Sequence, residues 1–257
     1  LPLTKKHSKI VMGFHVTEHC NLNCAGCDNF SPLAEPEFID IAEFKRDIER
    51  MAFLFHNECE RISLLGGEPL LHPGLPEIIE IARKNFPVGK IEIITNGTLL
   101  LRQEVRFWEV CRDNNVIISM THYPISIDVE GITSVAEKFG VKMNYLVHEF
   151  LKEPVNLSGS GNFRRNFAIC TRGNDCVMLG HGRLYTCTFA SNVHHFNKKF
   201  GKNIPVTEAD YIDIYKENDP EAILRKLTEP IPLCRFCDMN IKRVKWSVSK
   251  KDISEWA

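Results

Sequence analysis

The chain has 257 residues, 44% hydrophobic and 25% charged, which is the balance expected of a globular enzyme with one barrel-sized domain and at most a small appended module. Lys plus Arg (32) nearly cancels Asp plus Glu (33), so no basic field exists to gather nucleic acid, which is not expected as a partner. No apolar run approaches the roughly 18 residues of a membrane span, and no apolar stretch follows Lys5, Lys6 and Lys9 to make a secretory signal, so no membrane contact and a cytoplasmic location are expected.

Val11–Thr17 (VMGFHVT) is a short apolar run rich in β-branched residues and reads as a strand. Apolar positions at Ile41, Phe44, Ile48, Met51, Ala52 and Phe55 recur at helical spacing, which predicts a helix over 41–55. Residues 61–65 (RISLL) are the next strand, stopped by Gly66 and Gly67. A helix follows over 75–86, with Pro76 tolerated in its first turn. The alternation continues with a strand over 90–95 ending in Asn96-Gly97, a helix over 105–112 and a strand over 116–121. A helix over 129–139 and a fifth strand over 141–147 complete it. Repeated β-then-α units of this length imply an α/β fold, a parallel sheet with helices outside it, and ligands at the carboxyl ends of the strands. Cys20 to Cys27, Gly66 to Pro69, Thr95 to Gly97 and Ser119 to Tyr123 all fall at that end.

The pattern changes near residue 154, which divides the chain into a core, 1–153, and a cysteine-rich module, 154–257. Residues 156–162 (NLSGSGN) read as a flexible polar linker. Residues 176–187 read as a hairpin turning at Gly180-His181-Gly182, and residues 221–227 as a short helix. Cys234 and Cys237 then bring two more thiols.

Ten cysteines are many for such a chain, and clustered cysteines in a reducing compartment bind metal more often than they form disulfides. Cys20, Cys24 and Cys27 stand at i, i+4 and i+7, which would share one helix face, yet Asn21, Asn23 and Gly26 favour a loop. Such a loop suits zinc, with His19 or Asp28 as a fourth ligand, or a [4Fe–4S] cluster with one iron left open.

The spacing Cys20-x3-Cys24-x2-Cys27 at the end of a first strand resembles the radical S-adenosylmethionine (SAM) superfamily. The resemblance implies a partial (β/α) barrel of five to six parallel strands, with SAM chelated on the open iron and cleaved to a 5′-deoxyadenosyl radical. Gly66-Gly67-Glu68-Pro69 resembles the family's GGEP motif, in which Glu68 would accept from the SAM ammonium. By the same resemblance Thr95 and Asn96 lie on a polar rim near SAM, and Ser119 and Thr121 at the level of its ribose. The family's aromatic residue before the third cysteine is replaced by Gly26, for which Phe30 is a candidate substitute.

The second cysteine group resembles the SPASM/twitch extensions of the same superfamily. The twitch form implies one auxiliary [4Fe–4S] cluster on Cys170, Cys187, Cys234 and Cys237. Cys176, facing Cys187 across the expected hairpin, is an alternative to Cys170, and a structural zinc site is the other reading. Cys59 and Cys111 read as ordinary buried cysteines.

These resemblances imply an enzyme that abstracts hydrogen from a small, sugar-like substrate, in an oxidation or rearrangement, with a reductant such as flavodoxin or ferredoxin. With 19 residues ahead of Cys20, a peptide-modifying maturase ranks second. A non-catalytic iron–sulfur electron carrier or metal-stabilised binding module is the third reading. His122, Tyr123, His148 and Glu149 are candidates for handling a substrate proton. Lys242, Arg243, Lys245, Lys250 and Lys251 form a basic stretch suited to phosphate or, more simply, to a solvated surface.

Overall fold

The computed structural model describes residues 9–147 and 150–257; His148 and Glu149 lie outside the described residues. In chain order the first nine elements are β1 (Val11–Thr17), α1 (Ile41–Leu54), β2 (Arg61–Gly66), α2 (Leu75–Asn85), β3 (Lys90–Thr95), α3 (Val105–Asp113), β4 (Val116–His122), α4 (Val129–Phe139) and β5 (Lys142–Val147). Strands β1 to β5 pair in sequence order and are all parallel.

Because the order never reverses, every crossover lands on one face, where α1 packs on α2, α2 on α3 and α3 on α4. The strand pleat sends alternate residues to that face. Phe14, Leu64, Ile93 and Ile118 are register partners in one buried row. The row meets α1 through an edge-on contact of Phe14 with Phe44, ring centroids 4.7 Å apart. The opposite face carries Ser63, Glu92 and Ser119, polar groups that a closed apolar core would exclude. Asp40 caps α1 by accepting from the Glu43 N–H, and Asp128 caps α4 by accepting from the Gly131 N–H.

The rest of the chain adds β6 (Leu151–Lys152), α5 (Phe163–Ile169), β7 (Met178–Gly180), β8 (Arg183–Tyr185), α6 (Thr188–Phe200), β9 (Tyr211–Asp213), α7 (Pro220–Leu227) and β10 (Lys242–Arg243). The expected hairpin forms as β7–β8, and it continues the main sheet. Met178 bridges Gly13 of β1, and β9 pairs with β8, giving the order β5-β4-β3-β2-β1-β7-β8-β9. Its two-residue turn, His181-Gly182, has positive φ at both positions (52° and 69°), the geometry of a tight hairpin. A second apolar cluster, including Phe30, Val193, Phe196, Leu233 and Trp256, lies under this region.

Residues 156–162 are not a free linker. The Asn156 N–H donates to the Phe236 carbonyl at 2.7 Å, Gly161 N–H to the Arg235 carbonyl at 3.1 Å, and Asn162 caps α5. Helices α5 and α6 were not expected from periodicity. In α6 the buried set includes Asn192 and His195 beside Val193 and Phe196, which blurs the apolar stripe. Cys59 and Cys111 are buried, as expected.

Candidate active site

Residues 18–30 leave β1 as a loop, and Cys20, Cys24 and Cys27 lie on it within electrostatic reach of one another. Burial pushes the Cys20 thiol up to about 12 and the Cys27 thiol up to about 11, with neighbouring thiols, and for Cys20 the Glu68 carboxylate, adding to the effect. Burial also raises Cys24. Thiols held neutral in this way would bind a metal only by releasing their protons. The side chains offered as a fourth zinc ligand are engaged elsewhere. His19 Nδ1 is bonded to Thr17 Oγ1 at 2.9 Å and accepts from the Glu37 N–H, while Asp28 is ion-paired with Arg172. Among the described residues no three His, Cys, Asp or Glu side chains converge tightly enough to hold a single metal ion. Three thiols without a fourth donor fit a cluster with one open iron.

Gly66 and Gly67 bring the turn after β2 onto the entry to the cysteine loop. A Cβ on Gly66 would stand 2.2 Å from the Thr17 carbonyl oxygen, and one on Gly67 would stand 1.9 Å from that of His19. In that space the Gly67 N–H donates to the Thr17 carbonyl at 2.8 Å, the Glu68 N–H to the His19 carbonyl at 3.1 Å, and Asn29 Nδ2 to the Gly66 carbonyl at 2.7 Å. The glycines therefore serve backbone-to-backbone packing of the two motifs.

Glu68 has no exposed surface, and burial pushes its carboxyl up to about 7 against the pull of three donors. Oε1 accepts from Thr95 Oγ1 at 2.6 Å and the Leu70 N–H at 3.1 Å, and Oε2 accepts from the Asn96 N–H at 2.9 Å. A carboxylate has about four lone-pair sites, so one remains, on Oε2. Pro69 is buried and opens the short helical turn that Glu68 caps. Thr95 and Asn96 thus support Glu68 and the loop: Asn96 Nδ2 also donates to Asn21 Oδ1 at 2.8 Å.

The inner face of the sheet and the cysteine loop line an open cavity of roughly 510 Å³. Cys24, Cys27 and Tyr123 stand in its wall, with Thr121, Ser63 and Glu92 along the strands. Ser119 Oγ donates to Glu92 Oε1 at 2.5 Å, and Asn144 Nδ2 reaches Ser119 Oγ at 3.4 Å. Ser119 is thus occupied by Glu92, while Thr121 faces the open space. His122 is exposed, as are Lys242, Arg243, Lys245, Lys250 and Lys251. Phe30 is buried among Phe189, Phe196 and Trp256, away from the cavity, so it does not replace the aromatic missing at Gly26.

The other thiols divide between two places. Cys170, Cys187 and Cys237 stand in the wall of a smaller cavity of roughly 90 Å³, with Cys234 close enough to perturb both Cys187 and Cys237. Burial pushes Cys187 up to about 12 and Cys234 up to about 11. Asn166 Nδ2 ties α5 to this loop through the carbonyls of Cys234 (2.9 Å) and Cys237 (2.8 Å). Cys176 instead lines the large cavity, where its strongest charged neighbours are Arg172, Asp175 and Arg61.

Sequence reasoning missed Glu92, Arg61 and Trp246 in the cavity wall. Glu92 carried a signal, a lone carboxylate inside an otherwise apolar strand, KIEIIT.

Residues 14–132 match the family model of the radical SAM superfamily. That stretch of the chain therefore has the sequence of a domain of the radical SAM superfamily, whose members use a [4Fe–4S] cluster and SAM. Among curated proteins it is similar to GTP 3′,8-cyclase of Chlorobaculum tepidum, with 36% identity over 88 residues, 34% of this chain and 26% of that protein. It is also similar to the antilisterial bacteriocin subtilosin biosynthesis protein AlbA of Bacillus subtilis, with 29% identity over 104 residues, 40% of this chain and 22% of that protein. The aligned part thus spans about a quarter of these relatives' length. Among solved structures, BtrN in complex with AdoMet and 2-DOIA superposes with a TM-score of 0.57 at 18% identity, over 98% of this chain and 99% of that one. BtrN in an open conformation gives 0.51 at 20% identity, over 90% and 94%. At such identities the likeness establishes the fold, α/β with a mostly parallel central sheet. Among the described residues no helix is long and apolar enough to cross a membrane.

Proposed function

We propose that this chain reductively cleaves SAM at a [4Fe–4S] cluster held by Cys20, Cys24 and Cys27, and directs the resulting radical at a carbon–hydrogen bond of a small hydroxyl- or amine-bearing molecule. The observation that carries the reading is that two of the three thiols share a cavity wall with a buried, hydrogen-bonded carboxylate, Glu92. When bound, the cluster supplies the electron that divides SAM into methionine and a 5′-deoxyadenosyl radical. The chain's own residues do the rest. Three thiolates leave one iron open, and the spare lone pair on Glu68 Oε2 accepts from the SAM ammonium. Thr121 lines the path toward the ribose. Glu92 is an acceptor for a substrate hydroxyl or ammonium, oriented by Ser119.

A cavity of roughly 510 Å³ that must also admit part of SAM has room for a sugar-sized substrate. Oxidation or rearrangement of such a molecule fits, with electrons delivered by a flavodoxin- or ferredoxin-type reductant. In this reading residues 154–257 form a twitch-like module whose Cys170, Cys187, Cys234 and Cys237 hold an auxiliary [4Fe–4S] cluster. Four thiolates leave no open iron, which suits electron transfer.

The deciding experiment is 5′-deoxyadenosine formation from SAM by anaerobically reconstituted protein with a strong reductant. Formation that vanishes when Cys20, Cys24 and Cys27 are all replaced by Ala is expected. A cluster-loaded protein that never consumes SAM, with or without sugar alcohols and amino sugars, would favour an electron carrier instead.

A further inference from the structure

The C-terminal segment returns across the chain to the first cysteine loop. Val248 forms an antiparallel bridge with Cys24, the Ala25 N–H donates to the Ser247 carbonyl at 2.9 Å, and the Ser249 N–H donates to the Asn23 carbonyl at 2.7 Å. Farther along, Trp256 Nε1 donates to the Cys27 carbonyl at 2.8 Å. Residues 244–248 (VKWSV) alternate, so Val244 and Trp246 point together into the large cavity.

Two features make this strap part of the site rather than a cover. First, the indole Nε1 of Trp246 donates to Cys24 Sγ at 3.2 Å, and Tyr123 stands close enough to the same sulfur to perturb it. The two rings meet edge-on, centroids 6.2 Å apart. Second, Gly26 is shaped for the strap: its φ is 67°, and a Cβ there would lie 3.1 Å from the Glu255 carbonyl oxygen. A bulky residue at 26 would be strained and would collide with the segment that brings Trp246 in.

We propose that residues 244–256 are a working part of the SAM-cleaving centre, and that Trp246 is a positioning residue whose N–H bond to Cys24 sets the reduction potential of the cluster. This rests on the assignment of Cys20, Cys24 and Cys27 above. A hydrogen bond to a ligating thiolate draws charge from the cluster and favours the reduced state, so losing it moves the potential to a more negative value. The C-terminal end of the chain thereby controls how readily the centre accepts its electron.

The test is a redox titration of the anaerobic holoenzyme followed by electron paramagnetic resonance, using the signal that changes on adding SAM. Trp246→Phe removes the donor and keeps a ring. Replacement of Trp246 by β-(3-benzothienyl)alanine removes only the N–H and is nearly isosteric, so it covers the case in which Trp246→Phe loads iron poorly. Both are expected to show a more negative midpoint at full iron content, and Tyr123→Phe a shift of the same sign. A midpoint unchanged from the wild type in the isosteric variant would overturn the proposal. Failure of the wild type itself to show a SAM-responsive cluster would sink the three-cysteine assignment beneath it, a separate and recognisable result.

Discussion

Thr95 Oγ1 and Glu68 Oε1 meet at 2.6 Å where β3 and β2 end side by side, with both residues buried. Burial sets the Glu68 carboxyl at about 7, and the Thr95 bond is the largest of the influences holding it down. Thr95→Val should therefore raise it further and weaken SAM binding by about tenfold, the worth of one hydrogen bond to a charged acceptor. The ionised carboxylate is the stronger acceptor for the SAM ammonium, so wild-type affinity should fall as pH drops below about 7. Glu68→Gln should bind weakly with no such dependence. Equilibrium dialysis of cluster-loaded protein from pH 6 to 8 checks this; a Thr95→Val affinity equal to wild type would detach Glu68 from SAM.

Glu18 joins β1 to α6. Its Oε2 is 2.8 Å from His195 Nε2 and 3.3 Å from His15 Nδ1, and His15 Nε2 is 3.2 Å from Asn192 Nδ2. Burial works to raise the Glu18 carboxyl, but the bonds and charges of the two imidazoles outweigh it and hold the group well below the ordinary value of 4.5. A carboxyl lowered in the folded state stabilises above its unfolded value, and that contribution is lost as pH falls beneath it. Glu18→Gln should cost about 1–3 kcal/mol near pH 7, with the deficit shrinking below pH 4.5. Thermal unfolding at both pH values measures it, and an equal deficit at each would mean that charge plays no part.

The first half of the fold was legible because its signals are local. Strands 11–17 and 90–95 are found at the predicted bounds as short apolar runs buried on both faces, and helix 129–139 at its bounds with Ile132 and Ala136 buried. The cysteine triad and GGEP turn were legible as spacings. The rest depends on partners far away in sequence. Helix α6 buries Asn192 and His195 because of His15 and Glu18, 177 residues earlier. Trp246 is drawn to Cys24 across 222 residues, and nothing in a basic, exposed tail announces that contact. Glu92 was visible as an anomaly, but its meaning needed the cavity it faces.

Asp47 anchors the hairpin to the first helix. It is 4% exposed, and its two oxygens accept from the Gly182 N–H and the Tyr215 hydroxyl, each at 2.8 Å. Asp47→Ala would leave the buried Gly182 N–H unpaired and turn the half-exposed Tyr215 to water, and should cost about 1–3 kcal/mol. Asp47→Asn, which keeps one acceptor, should cost less. Denaturant unfolding gives the magnitudes, and hydrogen exchange at the Gly182 amide locates the loss. Equal costs for the two variants would show that packing rather than hydrogen bonding holds the turn.

Cys170 and Cys176 separate two assignments of the auxiliary cluster, and Cys237 belongs to both. Cys237 shares its cavity wall with Cys170 and Cys187, whereas Cys176 lines the large cavity beside Arg61 and Arg172 while still perturbing Cys187. In protein lacking Cys20, Cys24 and Cys27, roughly four irons per chain should remain. Cys237→Ala in that background should remove them, and Cys176→Ala should leave them in place. Iron analysis with the visible absorption of the cluster reads both. Loss of iron on replacing Cys176, with retention on replacing Cys170, would move the fourth ligand to Cys176 and put the auxiliary cluster against the substrate cavity. That position would bring it within direct reach of an electron leaving the substrate, whereas the Cys170 assignment places the shared wall of Gly26, Asp28, Arg172 and Thr188 between them.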